Sequence, residues 1–255
     1  RFVPIFIGHD DISKIKGVIN FSLKFVTISS ILVAAALFLS SESIASQIYD
    51  KPDLVTYIKL LSLTIPFTAL STIVINIFKG FNLIKYKVLI SDFVTIISRI
   101  LMFLGCALFG YGILGITISY VFSVAFGLII GSVLLIKIIP ELLDENIRSD
   151  TNRSEIFSYS TPLFLSSFFT VFLNRIDILM LSYYLSADQI GIYSIANRLA
   201  VLVFFIASST FAIFSPAMAK LLGKGQRADI EKFLHRVSKL VLIATIPIFL
   251  IIVIL

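Results

Sequence analysis

The chain has 255 residues, a formal net charge of +6, 58% hydrophobic side chains and only 14% charged ones. With a mean hydropathy of +1.03, that is far more apolar than a soluble domain of this length needs to be, and it predicts an all-α integral membrane protein. Cys106 is the single cysteine, so an intrachain disulfide scaffold is excluded.

About 20 apolar residues cross a bilayer core as a helix. Runs of that length predict six complete spans at roughly 20–40, 54–78, 89–109, 113–136, 156–184 and 190–217. A partial span ends near Ile7 and another starts near Lys239. None of these runs alternates as barrel strands do, so a polytopic helical bundle is expected. The first residue is Arg1 and the last lie inside "IFLIIVIL", which reads as an internal fragment of a longer chain without a signal-peptide pattern.

Basic residues set the orientation. Sixteen fall in one set of alternate loops (Arg1, Lys14, Lys16, Lys24, Lys79, Lys85, Lys87, Lys137, Arg148, Arg153, Lys220, Lys224, Arg227, Lys232, Arg236 and Lys239), and only Lys51 and Lys59 fall in the other. The first set is therefore cytoplasmic. The positive charge reports topology, and no nucleic-acid partner is implied. Tyr49, Tyr57, Tyr111, Tyr183, Tyr184 and Tyr193 gather near the opposite boundary, as an interfacial belt would.

At the start of the chain, Ile12, Ile15 and Ile19 recur at helical spacing in a basic loop, and Ile230, Phe233, Leu234 and Val237 do so again later. Both stretches predict short amphipathic helices on the inner leaflet. They belong to a faint repeat, "VPIFIG…ISKIKGVINFSLKFV" against "SPAMAKLLGKG…IEKFLHRVSKLV", in which a proline ends a span and a lysine opens the next. Pro66 and Pro247 interrupt apolar runs and predict bends.

In the span 89–109, Asp92 and Arg99 are seven residues apart and share a helix face. "GYGILG" (Gly110 to Gly115) spells a dinucleotide fingerprint, but it joins two spans without a preceding strand and reads as a tight turn. "GLIIG" (Gly127 to Gly131) is a small-residue face suited to close helix packing. The charged stretch "PELLDENIRSDTNRSE" (Pro140 to Glu155) reads as a cytoplasmic linker between 1–136 and 156–255. His9 and His235 have no partner cluster at ligand spacing, and no catalytic or cofactor motif is present, so neither an enzyme nor a cofactor is expected.

The stretch "TVFLNRIDILMLSYYL" (Thr170 to Leu185) places Asn174, Arg175 and Asp177 inside an apolar run. Each charge costs about 2.5 to 3.5 kcal/mol at a span centre on insertion scales, so such residues face a cavity or a partner. Arg175 and Asp177 stand about 200° apart on a helix and cannot neutralise each other on one face. Ser166, Thr170, Asn174 and Asp177 follow helical spacing and predict one polar stripe. The next span repeats the doublet as Asn197 and Arg198, at a depth similar to that of Arg175 on an antiparallel neighbour. Two guanidinium forks at one depth suit phosphate oxygens. The alternative is a structural network of Arg175, Arg198 and Asp177 that locks the two helices together.

"RFVPIFIGHDDISKIKGVI", "NRIDILMLSYYLSADQIGIYSIANRLA" and "FSPAMAKLLGKG" together resemble the polysaccharide (O-antigen) flippases of the multidrug and oligosaccharidyl-lipid exporter superfamily, over essentially the whole chain. The resemblance implies two pseudo-symmetric lobes of a 12-to-14-helix exporter, with 137–155 as the linker. It implies alternating access in the plasma (inner) membrane, with a polyprenyl-diphosphate-linked oligosaccharide as substrate among the membrane lipids. Arg175, Arg198, Asn174, Asn197 and Arg99 would bind substrate. Asp177 and Asp92 would couple to a sodium ion or a proton. A cation-coupled drug or metabolite exporter of the same superfamily is the nearest rival, and a membrane-embedded glycosyltransferase or polymerase a more distant one.

Overall fold

The computed structural model describes residues 2–142, 149, 151–223 and 227–254, with part of the side chains in the last two helices left out of the description. Every element among the described residues is helical. The chain runs through α1 (Phe2–Ile7), α2 (Ile12–Leu39), α3 (Ser41–Ser43), a π turn (Ile44–Ile48), α4 (Leu54–Ser62), α5 (Thr64–Gly80) and α6 (Ile84–Val88). A second π turn (Leu89–Val94), α7 (Thr95–Leu108), α8 (Gly112–Ile138) and a 3-10 turn (Pro140–Leu142) follow. Then come α9 (Arg153–Leu173), α10 (Ile176–Tyr184), α11 (Ala187–Gly223) and α12 (Arg227–Ile254).

Six helical stretches among the described residues are long and apolar enough to cross a bilayer: Ile12–Leu39, Leu54–Gly80, Ile84–Leu108, Gly112–Ile138, Arg153–Leu173 and Phe233–Ile252. The protein is thus an all-α polytopic membrane protein. The first four stretches coincide with predicted spans. The span predicted over 190–217 lies in α11, a helix of 37 residues in which several side chains fall outside the described residues. Of the predicted linker 137–155, residues 143–148 and 150 fall outside the described residues.

The chain divides into two compact units, Arg1–Phe168 and Phe169–Leu255. The first has its core at the lysine-bearing ends of its helices, where Ile15 and Ile19 of α2, Val74, Ile77 and Phe78 of α5, Ile90 of the π turn, and Leu135 and Ile139 at the end of α8 pack together. This corrects the expectation of a surface helix over Ile12 to Ile19. The stretch is the first turns of α2 itself, and it turns Ile15 and Ile19 inward because its apolar period runs on without a break into the span. Asp11 starts the helix by accepting the Lys14 backbone N–H at 3.1 Å and pairing with Lys14 Nζ at 2.8 Å. Those two bonds from Lys14 hold the Asp11 carboxyl below the usual carboxylate range. The cap therefore stays charged at neutral pH and is lost only as pH falls through that lowered value. In the second unit, Ile230 to Val237 likewise belong to the continuous α12, with Val237 buried and Phe233 edge-on to Phe214 at 5.5 Å.

Apolar burial alone does not drive helices together in lipid, so close approach at small residues carries the packing. Ser62, Ser98, Thr117, Ser119 and Ser123 are buried and satisfy their hydroxyls on carbonyls of their own helices. A Cβ on Gly127 would sit 2.5 Å from Thr95 Oγ1, and one on Gly131 would sit 3.2 Å from Val74, so "GLIIG" is a packing face as predicted. The π turn positions its half of that seam. The Ile90 carbonyl accepts both the Thr95 backbone N–H and, at 2.8 Å, its hydroxyl, which places Ile90 in the core and Thr95 against Gly127.

"GYGILG" forms the predicted tight turn, with Gly110 at φ +75 and Gly112 at φ +51 between α7 and α8. The bend expected near Pro66 is a break at Leu63, which leaves Pro66 in the first turn of α5, where a missing N–H costs no bond. Pro247, by contrast, sits inside the continuous α12.

Gly127→Val is expected to destabilise the folded protein by about 1–3 kcal/mol through overpacking against Thr95. Nothing lies within 4 Å of a Cβ on Gly105, so Gly105→Ala serves as the tolerated control. Thermal unfolding in detergent measures both, and an unchanged midpoint for Gly127→Val would contradict the packing account.

Candidate functional site

The span predicted as one helix over 156–184 is broken in its interior. α9 stops at Leu173, Asn174 and Arg175 are non-helical, and α10 restarts at Ile176. Asn174 marks the stop: its backbone N–H makes the last regular bond of α9, to the Thr170 carbonyl at 3.1 Å, and its side-chain amide bonds back to the same carbonyl at 2.8 Å. The Arg175 N–H then reaches the Phe172 carbonyl at 3.1 Å, and Arg175, at φ −131 and ψ −9, becomes the cap of α10. The expected stripe of Ser166, Thr170, Asn174 and Asp177 therefore does not form one helix face. Non-helical backbone at membrane depth is tolerated where protein buries it or where it lines a watery cavity.

Asp177 lies in the first turn of α10, where the helix dipole favours a negative charge. Its Oδ2 accepts the Tyr193 hydroxyl of α11 at 2.6 Å. Its Oδ1 is shielded from solvent and has no hydrogen-bond partner. Tyr193 was expected in the interfacial belt. Its hydroxyl instead works about 10 Å along α11 from the turn at Ser186, because a tyrosine inside a span turns its polar tip to an acceptor.

The Asp177–Tyr193 bond fixes the register of the α10–α11 hairpin. Arg175 precedes Asp177 by two residues and Arg198 follows Tyr193 by five, so the two arginines differ in depth by about 4.5 Å, less than one helical turn. Asn174 and Asn197 come within about 1.5 Å of the same level. Both arginine side chains are exposed. Among the described residues, no ion pair links Arg175, Arg198 and Asp177, so the locking network weighed as an alternative does not form.

Asp92 and Arg99 are not brought together. Arg99, half-buried on α7, donates from Nε to Ser123 Oγ at 3.2 Å and lies over the Tyr120 ring at 4.6 Å. Ser123 is fully buried and its hydroxyl donates a hydrogen bond to the Tyr120 carbonyl at 2.9 Å. Asp92, in the π turn, is exposed and pairs with Lys87 at 3.0 Å and Ser91 at 2.5 Å. From the sequence, Tyr120 and Ser123 were not singled out, and Tyr193 and Lys87 were expected only in the interfacial belt and in a basic loop. The usable signal was a hydroxyl inside a span within reach of a charge. Among the described residues, no group of three or more His, Cys, Asp and Glu side chains could hold a metal ion.

A family model described as "Polysaccharide biosynthesis protein" matches residues 2–255. No curated protein and no solved structure matches the chain.

The Arg99 clasp predicts energetic coupling across α7 and α8. A double-mutant cycle of Arg99→Leu with Tyr120→Leu is expected to show about 0.5–2 kcal/mol of interaction in thermal or denaturant unfolding. Strict additivity would contradict it.

Proposed function

Since the chain belongs to the polysaccharide biosynthesis protein family, we propose that it is a transporter that flips a polyprenyl-diphosphate-linked oligosaccharide from the cytoplasmic to the outer leaflet of the plasma membrane by alternating access. Family membership ties the protein to polysaccharide synthesis or export, and its apolar helices make it a membrane protein. One observation carries the finer reading: Arg175 and Arg198 stand within one turn of depth beside a break in a span, with no acid paired to either among the described residues.

A diphosphate supplies what these guanidinium groups lack. Each planar fork offers two parallel N–H donors to phosphate oxygens, and a diphosphate presents oxygens to two forks at once. Asn174 and Asn197, level with each other, offer amide donors and acceptors to the first sugar. The polyprenyl tail stays in the hydrocarbon, so only the polar head needs a hydrated path. The neighbouring Asp177, with one oxygen held by Tyr193 and the other unpartnered, is the residue to couple movement to a sodium ion or a proton. Arg99 and Asp92 already hold partners, so in this reading Arg99 positions α7 against α8, and Asp92 is a lesser candidate for ion coupling.

Arg175→Ala and Arg198→Ala are each expected to cut translocation of a labelled lipid-linked oligosaccharide in proteoliposomes at least tenfold, with helical content and unfolding midpoint retained. Lysine at either position restores charge without the fork and is expected to recover only part of the rate. Normal transport by both alanine variants would sink the assignment. Asp177→Asn is expected to abolish the response of transport to an imposed sodium or proton gradient, and an unaltered response would remove Asp177 from the coupling role.

A further inference from the structure

The cytoplasmic end of α9 is fastened to α1 and α2 by ring edges. Phe157 stands edge-on to Phe21 at 5.6 Å and to Phe25 at 5.3 Å. The Arg153 guanidinium lies over the Phe21 ring at 5.7 Å, and Tyr159 meets Phe2 edge-on at 5.7 Å. These side chains are only partly covered: Phe157 is 42% exposed and Phe25 47%. Beside them a crevice of about 290 Å³, lined by Phe2, Phe6, Lys14, Thr151, Asn152 and Glu155, separates the start of α9 from α1 and α2. The Thr151 hydroxyl oxygen there is shielded from solvent yet unbonded. The contact therefore differs in kind from the α7–α8 seam, where glycines let backbones touch and hydroxyls are satisfied. Edge contacts between half-exposed rings part without opening a close-packed core.

We propose that Phe21, Phe25, Phe157 and Arg153 form the inner gate of the transporter, shown here closed. The inference rests on the alternating-access reading. In that reading, α2 and α9 lie on opposite sides of the cytoplasmic linker and belong to different lobes, and the closed contact is what gathers the start of α9 into one compact unit with α2, Arg1–Phe168. A contact between them at the cytoplasmic end must part each time the cavity opens inward and re-form before it opens outward. Arg153 suits the gate's outer edge, because its charge stays in water whether or not its face rests on Phe21.

The test places Phe21→Cys and Phe157→Cys in the full-length protein carrying Cys106→Ser and bridges them with a short, reducible bis-methanethiosulfonate reagent. Cross-linked protein is expected to lose at least tenfold in translocation and to regain it on reduction, while single-cysteine variants treated alike stay active. Added polyprenyl diphosphate, which loads the inward-open state, is expected to slow cross-linking several-fold, and this arm needs no transport by the double variant. Full translocation by the cross-linked protein, or a cross-linking rate indifferent to polyprenyl diphosphate, would overturn the gate and leave the transporter reading standing. Absence of translocation by the wild-type protein would overturn the reading on which the gate rests.

Discussion

An ionised guanidinium inside a bilayer must find water, an anion or hydrogen-bond and ring partners within the protein, and the rest of this protein's behaviour depends on how three arginines meet that demand. Arg99 meets it within the fold, through the Ser123 hydroxyl and the Tyr120 ring. Arg175 and Arg198 have no ion pair among the described residues, and Asp177, the acid nearest in sequence to Arg175, accepts the Tyr193 hydroxyl. Among the described residues, two exposed guanidinium groups without an ion pair and one carboxylate with a single hydrogen-bonded oxygen stand at similar depth.

The same bilayer explains the scaffold. Backbone groups can pair only along helices, and helices can approach closely only at glycine and hydroxyl positions. The first unit meets both conditions along the α7–α8 seam, where the π turn at Leu89–Val94 sets Thr95 against Gly127. The break at Asn174 and Arg175 is the opposite solution: the asparagine amide bonds back to the Thr170 carbonyl where the regular ladder ends, and the Arg175 N–H turns to the Phe172 carbonyl. The close packing around Arg99 and the irregular backbone at Arg175 thus both follow from local sequence.

Hydropathy made the first four spans legible, because twenty apolar residues in a row have few other uses. Glycine spacing made the 110–115 turn and the 127–131 seam legible as well. What was missed has physical reasons. A hydropathy run carries no record of side chains bonding back to carbonyls, so the break at Asn174 was invisible and the stripe through Asp177 was drawn on a helix that does not continue. The amphipathic starts of α2 and α12 looked like separate surface helices because lysines flank them, although their apolar period passes unbroken into the spans. The partners of Arg99 lie on another helix, and the partner of Asp177 lies across a hairpin, so neither follows from spacing along one helix. For Asp177, pairing it with a tyrosine at matching depth across the turn at Ser186 would have pointed to Tyr193.

The central claim is that Arg175 and Arg198 face water inside the membrane, and thiol accessibility tests it most directly. Arg175→Cys and Arg198→Cys, each made with Cys106→Ser, would be exposed to a charged, membrane-impermeant methanethiosulfonate, with Phe204→Cys as a position on the apolar surface of α11. The account predicts rapid modification at both arginine positions, slowed by polyprenyl diphosphate, and little at Phe204. Equal protection at all three positions would place the two arginines in lipid or in sealed protein and contradict it.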